Sequence, residues 1–145
     1  MNPLFFANRN NLFALAIAAI AFVWLTNVGT RHSAVNHLAV PEVELLQAKA
    51  LIDSGALVID VRGAEQFAVR HLPGAVLVPL AMLRAGIPPS IAVAKDKPVI
   101  VYCNKGAASG PEATRLLQQA GFSQVVNLRS GIEGWAAAGL PLKTG

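Results

Sequence analysis

Cys103, the only cysteine in the chain, follows the apolar run Val99-Ile100-Val101-Tyr102 and precedes Asn104-Lys105-Gly106-Ala107-Ala108-Ser109-Gly110-Pro111-Glu112. This order predicts a buried strand, a loop and a helix start, with the thiol at the mouth of the loop. The first N–H groups of a helix lack intrahelical partners and sit at the positive end of its dipole, so an anion held there is stabilised. A thiolate is such an anion, and the thiolate is the nucleophilic form of cysteine. Gly106 permits a tight turn with amides facing inward, and Lys105 adds a point charge. Ser109 and Glu112 have the three-residue spacing of a capping box, with Gly110 and Pro111 in the first turn. On this reading Ser109 caps the helix and can also hydrogen-bond a group carried by Cys103.

Other uses of a thiol fit less well. A lone cysteine forms no internal disulfide, and His32, His37 and His71 stand at spacings that match no zinc pattern. A redox cycle lacks a resolving cysteine within the chain. Cysteine phosphatases place an arginine six residues after the nucleophile to clamp phosphate oxygens, and that position here is Ser109. An inert buried thiol is the remaining alternative, and the Gly-Ala-Ala-Ser-Gly-Pro-Glu run argues against it.

The elements that must position Cys103 are those of an α/β domain. Leu57-Val58-Ile59-Asp60-Val61, Ala75-Val76-Leu77-Val78 and Val125-Val126-Asn127-Leu128 are short apolar runs like the one before Cys103. They alternate with helical patterns over 64–69, 80–85, 113–120 and 131–138, which predicts a small parallel sheet flanked by helices. Leu38-Ala39-Val40 is expected to be a further short strand, and Pro41 to open a helix running to Ala48. Pro88-Pro89 reads as a loop. In open parallel sheets ligands gather at the carboxyl ends of strands, where Asp60 and Cys103 both fall.

The chain of 145 residues holds one such domain plus an extension. Residues 12–25 form an unbroken run of 14 apolar residues, continued by Thr26, Asn27 and Val28. The run lies between the length of a signal-peptide core and that of a membrane span. Because no Ala-x-Ala-like cleavage site follows, residues 1–28 are expected to be an uncleaved membrane anchor, with an exported and cleaved segment as the alternative. Residues 29–37 then form a linker and residues 38–145 the domain. Arg9 before the run and Arg31 with His32 after it leave the membrane side undetermined. Net charge is +4, but the basic residues are scattered and 6% of residues are aromatic, a pattern that excludes a nucleic-acid surface.

The domain resembles the single-domain rhodanese-like sulfurtransferases. The resemblance rests on Val58-Ile59-Asp60-Val61-Arg62, on Glu65 leading to His71-Leu72-Pro73-Gly74-Ala75, and on Val101-Tyr102-Cys103 with Gly106 and Ser109. Gly121-Phe122 and Leu128 to Gly131 with Trp135 complete it. It implies a rhodanese-like fold in which Cys103 takes a sulfane sulfur from a donor such as thiosulfate, becomes a persulfide, and passes the sulfur to cyanide or a thiol. No cofactor or metal is implied. Backbone amides of Asn104, Lys105, Gly106, Ala107, Ala108 and Ser109 would hold the persulfide. Asp60, Arg62 and His71 would support the site structurally, with Arg62 pairing with Glu65. Partners would be a small sulfur-containing anion, a thiol or protein acceptor, and the membrane through residues 12–28. Two positions depart from the family pattern: Ala108 stands where many members carry arginine, and Arg70 where glycine is frequent. A membrane-tethered, non-catalytic module that binds a partner protein is the competing reading.

Overall fold

The computed structural model describes residues 39–145. The expected anchor and linker, residues 1–37, lie outside the described residues. Among those described, no helix is long and apolar enough to cross a membrane.

Five parallel strands form one sheet in the order β1-β5-β4-β2-β3. They are β1 (Glu42–Val43), β2 (Leu57–Asp60), β3 (Ala75–Leu77), β4 (Pro98–Tyr102) and β5 (Gln124–Leu128). Six helices connect and cover them: α1 (Leu45–Asp53), α2 (Ala64–Val69), α3 (Leu80–Ala85), α4 (Pro89–Ala92), α5 (Ser109–Gln119) and α6 (Gly131–Ala137). The expected parallel α/β architecture is therefore present in this part of the chain.

Alternation along the central strands feeds two separate cores. Ile59, Val99, Val101 and Val125 pack on one face with Leu83 of α3, Ile91 of α4, and Ala113 and Leu117 of α5. Val58, Ile100, Tyr102 and Leu128 pack on the other with Ala48 of α1, and Ile132 and Trp135 of α6. Because β4 is covered on both sides, its residues from Val99 to Tyr102 are fully buried, which is why it reads as a continuous apolar run. Cys103 continues the alternation onto the face covered by α5.

Three local expectations are corrected. Pro41 does not open a helix: Glu42 and Val43 form an edge strand in register with Asn127 and Leu128, and α1 starts only at Leu45. The Asn127 N–H donates to Pro41 O at 2.8 Å and the Arg129 N–H to Val43 O at 3.2 Å. Burying Val43 contributes about 1.5–3 kcal/mol, whereas a helical preference there amounts to about 0.7 kcal/mol or less per residue, so tertiary burial wins. Ala39 and Val40 belong to no strand. Pro89 begins the short helix α4, where proline at the first position loses no bond and Ile91 reaches the core.

Candidate active site

Strands β2 and β4 are neighbours, with Asp60 opposite Tyr102 in register, so the segments that leave their carboxyl ends lie side by side. Cys103 is 6% exposed and packs in the same core cluster as Val101 and Ala113. Cys103 nevertheless borders a cavity of about 510 Å³ that Arg62, Lys105, Ala107, Ala108 and Ser109 also line.

The loop after Cys103 is held by its carbonyls. Cys103 O accepts the Ile132 N–H at 3.0 Å and Asn104 O accepts the Glu133 N–H at 3.0 Å, both from the first turn of α6. Gly106 O accepts from Asn127 Nδ2 at 2.8 Å. The described residues contain no cis peptide bond. In a trans peptide the C=O and the following N–H point in opposite directions. Anchoring these three carbonyls in the scaffold therefore turns the N–H groups of Asn104, Lys105 and Ala107 away from it. The Gly106 N–H donates to Cys103 Sγ at 3.2 Å.

Two glycines make this approach possible. Gly106 has φ +74° and a Cβ there would collide with the carbonyl of Arg129. Gly131 has φ +58° and a Cβ there would collide with the carbonyl of Asn104. The cysteine loop and the turn between β5 and α6 thus touch backbone to backbone, a contact that side chains at either position would block.

Helix α5 begins differently from expectation. Ala108 is the N-cap residue, Ser109 occupies the first turn, and no side-chain cap bond forms. The capping box of Ser109 and Glu112 is therefore absent. Glu112 is drawn outward instead: Arg84 Nε donates to Oε1 at 2.7 Å and Nη2 to Oε2 at 2.9 Å. That bidentate contact holds the Glu112 carboxyl below its ordinary range and raises the Arg84 guanidinium. A second hollow, of about 500 Å³, lies along α5 beyond Ala107 and Ala108 and is bordered by Arg115. It does not contain the thiol.

Asp60 and Arg62 form a buried ion pair, with side chains 0% and 5% exposed. Arg62 Nε donates to Oδ1 at 3.0 Å and Nη2 to Oδ2 at 2.7 Å, so the expected Arg62–Glu65 pair does not form. Burial decides between the two near neighbours: Glu65 is exposed in the first turn of α2, whereas Asp60 is buried at the end of β2. Burial by itself lowers the basicity of Arg62, but the bonds and charge of Asp60 outweigh it and raise the guanidinium overall. The Tyr102 hydroxyl donates to Asp60 Oδ2 at 2.6 Å and accepts the Leu72 N–H at 3.2 Å. Burial, reinforced by the bond to Asp60, pushes the Tyr102 phenol far above its ordinary range, so it stays neutral. Arg62 also donates to Arg70 O at 2.7 Å and to Asn104 Oδ1 at 3.4 Å.

Cys103, Asn104, Lys105, Ala107, Ala108, Ser109 and Arg62 are thus brought around one cavity, with Gly106 against the thiol and Asp60 supporting Arg62. His71 is not brought to it. Its ring stacks on Phe67 with centroids 3.9 Å apart, Nδ1 lies 3.0 Å from Phe67 O, and its backbone pairs with Lys143. Asn127 was absent from the expected set. Its signal is a polar residue inside the apolar run of β5, and it is 0% exposed.

The rhodanese-like domain family matches residues 44–138 of this chain, and the chain belongs to that family. The thiosulfate sulfurtransferase GlpE of Pseudomonas savastanoi pv. phaseolicola is 39% identical over 92 residues, covering 63% of this chain and 82% of GlpE. YibN of Escherichia coli, a protein of uncharacterised function, is 31% identical over 141 residues, covering 97% of this chain and 95% of YibN. Among solved structures, the human single-domain sulfurtransferase TSTD1 matches with a TM-score of 0.59 at 25% identity. That match covers 68% of this chain and 97% of TSTD1. These relationships support sulfur transfer as the general activity.

Proposed function

We propose that this protein moves a sulfane sulfur from a small anionic donor such as thiosulfate to a thiophilic acceptor, cyanide or a thiol, through a persulfide on Cys103. The observation that carries the reading is the Gly106 N–H on Cys103 Sγ at 3.2 Å, in a loop whose carbonyls are bound to the scaffold. The Cys103 thiolate attacks the outer sulfur of the donor. A sulfur–sulfur bond to Cys103 forms as the donor's own breaks, and the electron pair leaves with sulfite. An acceptor thiolate then attacks the outer persulfide sulfur and carries it away, returning Cys103 to the thiolate. The two steps use no external oxidant or reductant.

In every intermediate the negative charge rests on a sulfur beside the loop, where fixed amide dipoles lower its energy without reorganising. Lys105 is exposed and borders the same cavity, and no guanidinium extends from Ala108. Donor recognition then falls on Lys105 and the backbone. The thiosulfate activity in the name of the GlpE relative supports the choice of donor.

Incubating the full chain with thiosulfate is expected to add the mass of one sulfur atom, removable by cyanide, and Cys103→Ala is expected to abolish the addition. If the wild-type protein gains no sulfur from any donor, the catalytic reading falls. We further propose that residues 12–28 anchor the domain of residues 38–145 to a membrane through the linker 29–37, on the strength of the apolar run. Carbonate-washed membranes of the native cell should retain the intact chain. Recovery of a shortened, exported chain would replace the anchor with a cleaved signal.

A further inference from the structure

We propose that Asn127 is a positioning residue for Cys103: its side-chain amide sets the orientation of the Gly106 peptide and, through it, the amides that face the thiol and the cavity. The proposal rests on the reading of Cys103 as the nucleophile. Asn127 projects from β5 on the same face as Val125, the face on which Cys103 packs, and is completely buried. Nδ2 donates to Gly106 O at 2.8 Å and to Glu42 Oε1 at 3.1 Å. Both partners are acceptors, so the nitrogen, not the oxygen, must face them. Glu42 is itself held by Arg129, whose Nε lies 3.4 Å from Oε2.

The remaining atom of the amide is informative. Asn127 Oδ1 is buried and has no hydrogen-bond partner, a costly state for a carbonyl oxygen. Gly110 lies directly against it, and a Cβ at that position would collide with Oδ1 and come within 3.4 Å of Cys103 Sγ. A leucine or valine would fill the strand position without leaving an oxygen unpaired. What the asparagine provides is the two-pronged donor between Glu42 and the loop. With Gly106 O drawn toward Asn127, the Ala107 N–H turns the opposite way and the preceding peptide presents the Gly106 N–H to Sγ.

The test is alkylation of Cys103 in the full chain at neutral pH, read by mass spectrometry with neutral iodoacetamide and anionic iodoacetate. Alkylation needs the thiolate but no sulfur transfer, so it separates this proposal from the proposed activity. Asn127→Asp keeps the shape and removes the donor; Asn127→Leu removes donor and charge. Both are expected to slow iodoacetamide about threefold to tenfold, the effect of one weakened charge-assisted hydrogen bond. In Asn127→Leu, iodoacetate should slow further, because the outward amides lose their alignment. Leu51→Ala, which perturbs the opposite core face, is expected to lower the melting temperature while leaving alkylation unchanged. Wild-type alkylation rates in folded Asn127→Asp or Asn127→Leu, or equal slowing in Leu51→Ala, would overturn the proposal. Should neither Asn127 variant fold, the wild-type chain still decides. The two Asn127 side-chain amide protons should exchange with solvent far more slowly than those of exposed Gln118 or Gln119, and equally fast exchange overturns it.

Discussion

Two neighbouring strand ends carry the polar chemistry of this domain, and they use it in opposite ways. At the end of β2 the charged side chains of Asp60 and Arg62 satisfy one another, with the Tyr102 hydroxyl and the Leu72 N–H completing the network on the face that α6 covers. At the end of β4, one residue beyond Tyr102, the thiol is met by a backbone N–H. The two regions meet at Arg62 Nη1 and Asn104 Oδ1, 3.4 Å apart. The buttress is a closed ion pair, and the candidate site is a loop of backbone amides. A buried charge needs a fixed partner and is occupied by it, whereas loop amides whose carbonyls are already bound remain free to receive an anion.

That contrast is broken most severely at Gly106. Gly106→Ala forces a Cβ into the Arg129 carbonyl at φ +74°, and sulfur loading from thiosulfate should fall at least about a hundredfold, as when catalytic electrostatic contacts are removed. Loading close to wild type would mean that the amides do not form the cradle. Arg62→Met attacks the other region. It leaves Asp60 buried without its cation, at a cost of about 3–5 kcal/mol, and the melting temperature should drop by more than about 10 °C. The alkylation rate of Cys103 in the folded fraction should change little, and a slowing as large as that expected for the Asn127 variants would merge the two regions into one device.

The smallest effect belongs to Arg84→Ala. The Arg84–Glu112 pair is exposed on both sides, at 58% and 37% for the side chains, so its contribution is screened by salt. Because Arg84 lowers the folded-state carboxyl of Glu112, the contribution is present above the ordinary carboxylate range and lost as pH falls through the lowered value. Melting curves of wild type and variant should differ slightly at neutral pH and low salt and coincide in acid or high salt. A difference that persists in acid would show that Arg84 acts through packing on α5 rather than through charge.

Much of this was legible in the chain itself. The apolar runs that became β2, β4 and β5, the helix 64–69 and the place of Cys103 after β4 follow from burial on both sheet faces, which leaves a continuous apolar signature. Where the sequence misled, a distant partner outweighed a local preference. Glu42 and Val43 carry helix-start signals but pair with β5, and Glu112 has capping spacing but is taken by Arg84.

Residue types and order were enough to determine the fold class, the place of Cys103 after β4 and the loop that follows it, because those depend on apolar periodicity, a single thiol and the backbone freedom of glycine. Only the tertiary structure decided how the loop is held. Its carbonyls are bound by α6 and by Asn127, which arrive from 21 or more residues further along the chain. The orientation of a peptide is set by what its oxygen meets in space, and no local spacing encodes that meeting.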